Sequence, residues 1–434
     1  MMINYEDQKK RLIEYFKSGE KSEDNLKVGI EFEHFTIDKD SLETVSYYGE
    51  NGIEESLKDI EKEGWEGYYN DEYLLGLEKS PYTISTEPAA QFELSIEAQE
   101  TIGKLDKLYV EFMKQVLPVF KSKNQELVTM GYHPVTKIDD IKISPKKRYT
   151  YMYNYFKKRG THAHNMMKGT CAVQVTIDFT SEEDFIRKYR IGSALSPILY
   201  TMYDNSYIFE GEVYDKYSLR QHIWENTDLD RSGVLKTAFD SDFSYGKYAD
   251  YILNNNIIFT DDKGELASTG DLLFKDIFDP KVHGDEEIYH AISIVFPDLR
   301  LKRYLEFRMM DAVPYPLNFS AAALIKGLMY SSENLDKLEE LFKDIRYEDV
   351  QIGKLSASVD GMNGEYLGRS FVDWANELIY MATDGLDESE AKYLESIKVL
   401  SGVGKNPRDE FREVYRVSGL KAAVETEEIE VENV

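Results

Sequence analysis

Two glutamates stand two positions apart in the run KVGIEFEHFTI (27–37), and related patterns recur along the chain. In an extended segment Glu31 and Glu33 share one side, while Ile30, Phe32 and His34 share the other. In AQFELSI (90–96), Gln91, Glu93 and Ser95 alternate with Phe92, Leu94 and Ile96. In TCAVQVTIDF (170–179), Thr170, Ala172, Gln174 and Thr176 alternate with Cys171, Val173, Val175 and Ile177. In LRLKRYLEFR (299–308), Arg300, Lys302, Tyr304, Glu306 and Arg308 oppose Leu299, Leu301, Leu305 and Phe307. Glutamate is disfavoured in strands and costly to bury alone, and crowded carboxylates repel unless a cation neutralises them. A solvated sheet face accounts for any one of these strands taken singly. The near absence of lysine from the first two, beside so many oxygen donors, favours ligands for a divalent ion. Hard oxygen donors without sulfur suit Mg²⁺ or Mn²⁺ better than zinc. Lys302 and Arg308 add the positive charge that a metal-held phosphate requires. The chemistry that fits is phosphoryl transfer over a sheet, at a nucleotide site without a P-loop.

The elements that position these residues follow from apolar spacing. Helices are expected at about 6–18, 53–64, 147–158 and 182–203, the last capped by Thr180 and Ser181. A long helix carries Ile102, Leu105, Tyr109, Phe112, Met113, Val116 and Phe120 at helical spacing, with Pro118 expected to kink its end. Strands are expected at 27–37, 73–78, 82–87, 90–96, 126–132, 170–179, 292–296 and 299–308, and the last 120 residues read as mostly helical. The order lacks a regular βαβ rhythm, so the fold class is α+β on a mostly antiparallel sheet. One catalytic domain is expected over 1–420, followed by an acidic tail, 421–434, expected to be mobile.

Composition excludes several alternatives. A net charge of −28 opposes nucleic acid and anionic membranes as partners. A single cysteine, Cys171, forbids an internal disulfide and a thiolate zinc cluster, and its place on the apolar face of its strand marks it as structural. The charged N-terminal stretch lacks the apolar core of a signal peptide, and no run is long enough to span a bilayer, so a cytoplasmic location is expected. There is no GxxxxGK[ST] and no GxGxxG opening a helix; SGVGK (401–405) reads as a helix end at Gly402. NTDLDRSG (226–233) departs from a calcium loop at Arg231 and Thr237. His162 and His164, in GTHAH, read as polar loop.

Taken together, Gly29-x-Glu31-x-Glu33, STEPAAQFELS (85–95), TCAVQVTIDF (170–179), SLRQHIWENTDLDRSG (218–233) and VFPDLRLKRYLEFR (295–308) resemble the glutamate–cysteine ligase family in its plant and proteobacterial branch. YLGRSFVDWANELIYMATDGL (366–386) and GVGKNPRDEF (402–411) extend the resemblance, which runs from about residue 25 to 420. It implies a glutamine-synthetase-like fold, a curved antiparallel funnel wrapped by helices. The implied reaction uses ATP to phosphorylate the γ-carboxylate of L-glutamate, after which the amine of L-cysteine displaces phosphate to give γ-glutamylcysteine. On the same basis Glu31, Glu33, Glu93 and Glu306 are expected to hold Mg²⁺ (or Mn²⁺), with Gln174 completing a coordination sphere. Arg308, with Lys302, is expected at the transferring phosphoryl group, and Arg220 at a substrate carboxylate, where a rigid guanidinium fork outperforms lysine. Gln91, Ser95, Thr170 and Trp224 are expected to line the substrate pocket. A monomer or homodimer is equally compatible with the sequence.

The chain departs from the plant pattern in three places. It has one cysteine where plant relatives use pairs, Ala89 and Ala90 where they have two glycines, and MMDAVP (309–314) in place of a glycine-containing turn. These departures bear on the amine acceptor more than on the glutamyl donor. A ligase for a different amine, and a non-catalytic protein of the same fold, are the alternatives; intact Glu31, Glu33, Glu93, Glu306 and Arg308 weigh against the second.

Overall fold

The strand β1 (Val28–Asp38) runs through the middle of a nine-stranded sheet in the computed structural model, which describes residues 4–262 and 265–429. The remaining strands are β2 (Glu66–Asn70), β3 (Tyr73–Lys79), β4 (Tyr82–Thr86), β5 (Phe92–Gln99), β6 (Gln125–Val128), β7 (Val173–Ile177), β8 (Leu299–Leu301) and β9 (Leu305–Phe307). Their spatial order is β8-β9-β7-β1-β5-β4-β3-β2, with β6 paired to the far end of β1, and every pairing is antiparallel. The sheet is open at β8 and β2.

Alternation along β1 decides what each face does. Ile30, Phe32 and His34 are buried, whereas Glu31 and Glu33 keep partial exposure. Behind the apolar face lie two helices, Ile102–Lys121 and Leu317–Met329. The Phe32 ring packs 4.6 Å from Tyr109 and 5.5 Å from Phe319. Burying a side chain of this size contributes about 1.5–3 kcal/mol, so the greasy face fixes which side the glutamates must take. Register then aligns the polar face across five strands. Glu33 lies opposite Glu93, Glu31 lies opposite both Ser95 and Gln174, Thr176 faces Glu306, and Arg300 faces Glu306.

Most expected elements form, including helices Tyr5–Lys17, Ile53–Glu61, Lys147–Phe156 and Glu182–Met202. Ser181 caps the last of these, its Oγ accepting from the Asp184 amide at 3.2 Å. Pro118 sits inside its helix, which continues to Lys121. Three expectations are corrected. The segment 299–308 is a tight hairpin, closed where the Lys302 amide donates to the Tyr304 carbonyl at 2.9 Å. Two-residue periodicity survives such a turn, and Lys-Arg-Tyr carries no glycine, proline or asparagine to announce it. The expected strand at 292–296 is instead the end of the helix Asp285–Ser293 and a two-residue strand Phe296–Pro297. The acidic tail is ordered through its first part: the helix Pro407–Glu425 enters it, and Glu427 and Ile429 are buried. The Ile429 amide donates to the Leu127 carbonyl at 3.0 Å, continuing the sheet beside β6. Residues 430–434 lie outside the described residues.

Candidate active site

The polar face of the sheet forms the floor of a pocket that contains Glu31, Glu33, Glu93, Gln174 and Arg308. Ligand oxygens of Glu31, Glu33 and Glu93 all lie within 4.8 Å of one another. Glu93 is steadied by Ser85, whose Oγ donates to its Oε1 at 2.7 Å. Burial, followed by the charge of Glu306, raises the pKa of Glu31. Burial and Glu87 push Glu33 up to about 8. Burial and Glu31 raise Glu93 well above the usual carboxylate range. Three carboxylates that cannot ionise together without a compensating charge make a strong cation trap.

Glu306 stands apart from this trio. Its Oε2 accepts from Arg300 Nε at 2.7 Å and Arg308 Nη1 at 2.9 Å, and its Oε1 from Lys302 Nζ at 2.8 Å. Burial works to raise its pKa, but Arg300, Lys302 and Arg308 outweigh burial and hold it far below the usual range. With both oxygens engaged by cations, it is not placed as the metal ligand the resemblance implied. Gln174 departs from expectation for a related reason. Its Nε2 donates to Glu31 Oε1 at 2.6 Å and Glu33 Oε1 at 2.8 Å, while its Oε1 accepts from Arg308. An amide nitrogen carries no lone pair for a metal, so Gln174 is a bridge that spaces the acids from the cations.

At another wall of the pocket, Arg220 is anchored through Nε, which donates to the Arg308 carbonyl at 3.1 Å. Its buried Nη1 and the buried indole nitrogen of Trp224 have no hydrogen-bond partner among the described residues, and both residues line the cavity. Unpaired buried donors are costly, and two at one wall suit a ligand rich in acceptors. Thr170 also lines the pocket, but its hydroxyl donates to the Met166 carbonyl at 2.9 Å. Gln91 also lines the pocket, with its amide engaged in scaffolding: it accepts from the Ala89 amide and donates to the carbonyls of Met167 and Thr170. Ser95 is not in this pocket. It lines an adjoining cleft with Lys27, Thr176 and Tyr304, and Glu31 borders both spaces. His164, given no ligand role from the sequence, stacks on Tyr153 at 4.0 Å.

Several lining residues escaped the sequence reading. Glu87 accepts from the Tyr149 hydroxyl at 3.2 Å and adds a fourth carboxylate to the pocket; it lay within the quoted STEPAAQFELS, where only alternation distinguished its neighbours. Lys146 and Arg148, at the start of the helix Lys147–Phe156, bring cations from outside the sheet, and burial lowers the Lys146 pKa. A basic cluster opening a helix was the available signal.

Comparison with known proteins bears directly on this pocket. Residues 27–432 match the family described as glutamate-cysteine ligase family 2. The chain is 32% identical over 415 residues to the chloroplastic glutamate–cysteine ligase of Arabidopsis thaliana, covering 93% of this chain and 79% of that one. It is 31% identical over 418 residues to glutamate–cysteine ligase B, chloroplastic, of Oryza sativa subsp. japonica, covering 94% and 84%. In fold it resembles the crystal structure of the glutamate–cysteine ligase of Francisella tularensis in complex with AMP, with a TM-score of 0.60, 13% identity, and coverage of 93% of this chain and 87% of that one. The architecture is therefore glutamine-synthetase-like. The cytoplasmic location expected from the N-terminal residues is corrected by these two relatives, which are chloroplastic. The three carboxylates, the bridging amide and the arginine beyond it all sit on motif positions inside the matched region, and the chain belongs to glutamate-cysteine ligase family 2.

Proposed function

We propose that this pocket carries out the family's reaction, the ATP-dependent formation of γ-glutamylcysteine from L-glutamate and L-cysteine, with the following division of labour. The observation that carries the proposal is the meeting of Glu31, Glu33 and Glu93 within 4.8 Å, separated by one amide from Arg308. The all-oxygen donor set and the raised carboxyl pKa values fit a hard divalent ion, so Glu31, Glu33 and Glu93 would hold Mg²⁺, or Mn²⁺ in its place. When bound, that ion neutralises triphosphate charge and favours transfer of the γ-phosphoryl group.

The chain's own residues do the rest. Arg308, fixed by Glu306 and Gln174, presents a guanidinium where charge grows on the transferring phosphoryl oxygens. Lys302 and Arg300 hold Glu306 so that Arg308 keeps its place. Arg220, with a free Nη1 beside the Trp224 indole N–H, takes a carboxylate of the amino-acid substrate. A carboxylate is a poor electrophile. Its γ-oxygen therefore first takes the phosphoryl group from ATP, releasing ADP. The amine nitrogen of cysteine then bonds to the carbonyl carbon of the γ-carboxyl group (Cδ of glutamate). The bond from that carbon to the phosphorylated oxygen breaks so that inorganic phosphate leaves with the former carboxylate oxygen, and the nitrogen gives up a proton. Holding the partners together supplies much of the barrier reduction. The cleft at Ser95, which adjoins the pocket at Glu31, offers space for the nucleoside part of ATP.

ADP release measured with ATP and glutamate across a panel of amines tests the proposal. Cysteine is expected to give by far the highest kcat/KM. Equal or faster turnover with another amine would reassign the acceptor, and no turnover with any amine would remove the reading.

A further inference from the structure

We propose that the C-terminal part of the chain, residues 406–429, is a positioning element for Arg220, acting through the consecutive buried residues Asp204 and Asn205. The inference rests on the reading of Arg220 as a substrate-carboxylate clamp. Two separate lines of contact lead from this segment to that arginine.

The first begins at Arg408, buried in the first turn of the helix Pro407–Glu425. Its Nη2 donates to the carbonyls of Tyr214 and Lys216 at 2.8 and 2.7 Å, and its Nε lies 3.9 Å from Asp204 Oδ2. The Arg408 amide also donates to the Asp204 carbonyl at 2.9 Å. Asp204 Oδ2 accepts from the Ser218 amide at 2.7 Å. Ser218 precedes the short helix Leu219–Glu225, which carries Arg220 and Trp224, and it holds φ 52° and ψ 52°. That left-handed conformation is strained for serine, and persists where the surroundings fix it. Arg220 follows two residues later, so the direction of its side chain depends on that turn.

The second line begins at Glu427, whose carbonyl accepts from the amide and hydroxyl of Thr129 at 3.0 Å each. Its Oε2 accepts from Asn205 Nδ2 at 2.9 Å. The Asn205 amide donates to Asp311 Oδ2 at 2.8 Å, and Ser206 Oγ donates to the same oxygen at 2.8 Å. A Cβ on Gly131 would collide with the Asp311 carboxylate and with Ser206 Oγ, so the carboxylate packs directly on the Gly131 backbone. Asp311 lies three residues after Arg308, whose carbonyl anchors Arg220 Nε at 3.1 Å. The segment that anchors Arg220 is thus tied through Asp311 and Asn205 to the C-terminal segment.

The test compares steady-state kinetics of the full-length wild type with those of Asp204→Ala, Glu427→Ala, Asp204→Ala/Ser218→Gly and Arg220→Lys. Loss of positioning raises the KM for glutamate by about fivefold or more with the KM for ATP within about twofold, because only the glutamate clamp is displaced. Glycine at 218 adopts the left-handed turn unaided, so the double variant should recover most of the glutamate KM lost in Asp204→Ala. Melting curves identify any variant that fails to fold; if Asp204→Ala does, Glu427→Ala carries the test. A wild-type glutamate KM in the folded variants, or equal rises for glutamate and ATP, would overturn the proposal. Arg220→Lys separates the two layers: if it leaves the glutamate KM unchanged, the clamp reading fails and this proposal with it. A raised KM there alone sinks only the proposal.

Discussion

Gln174 serves two sets of charge with one amide, its amino group turned to Glu31 and Glu33 and its carbonyl to Arg308. That arrangement keeps the acids from pairing directly with the arginine and leaves both available to ligands. Glu31→Gln or Glu93→Gln removes one member of the carboxylate trio without changing side-chain size. Turnover is expected to fall by about 10²–10³-fold, the scale seen when a preorganised electrostatic contact is lost, while far-UV circular dichroism stays unchanged. Normal turnover in either variant would refute the ligand role. The sequence made the acids legible because two-residue alternation states which side chains share a face. It could not show that Glu306 is consumed by Arg300, Lys302 and Arg308. Composition gives the charges present on a face, whereas pairing depends on which strands become neighbours.

Elements place these residues through burial on the opposite side of the same strands. Phe32 lies directly between Glu31 and Glu33 in sequence and is packed against Tyr109 and Phe319. Phe32→Ala should therefore cost about 3–5 kcal/mol in stability, as removal of a buried aromatic does, and should lower the active fraction without altering the KM of the protein that remains folded. Urea unfolding followed by fluorescence measures the first, and kinetics on the soluble fraction the second. After β6 the chain turns at His133, whose Nδ1 accepts from the amides of Val135 and Thr136 at 3.3 and 3.2 Å. Burial lowers its pKa to about 3 from an ordinary 6.5. A folded-state pKa depressed below the unfolded one means that the unfolded chain binds the proton first. The contribution is present above pH 6.5 and is lost as pH falls from 6.5 toward 3. His133→Asn keeps an acceptor for the turn but does not titrate, so its melting temperature should fall less steeply between pH 6.5 and 4.5. Parallel curves would contradict this origin of acid sensitivity. The turn inside 299–308 was invisible to periodicity, since a hairpin and a straight strand share the same alternation. The turn at Ala90 was similarly hidden: φ is 64° there, a conformation that glycine would have announced.

Across the whole molecule, an excess of acidic residues leaves a net charge of −28, yet Lys146, Arg148, Arg220, Arg300, Lys302 and Arg308 all line one pocket. A polyanionic nucleotide would meet a repulsive surface and a cavity lined with cations, so local charge and not net charge decides binding. The broad plan was legible: mixed α and β elements, an antiparallel sheet with one apolar and one polar face, and motifs in family order. The path of the last residues was not. An acidic, low-hydropathy tail has the composition of a mobile end, and tertiary partners that include Thr129, Asn205, Leu127 and Lys39 hold its described part to the sheet. Calorimetric titration of Mg²⁺ or Mn²⁺ into the protein with a non-hydrolysable ATP analogue addresses the carboxylate trio most directly. Wild-type protein should bind the ion, and Glu31→Gln and Glu93→Gln should each weaken it by at least about tenfold, the lower end of what even an outer-shell loss costs. Identical affinities in all three proteins would show that these carboxylates do not hold the ion.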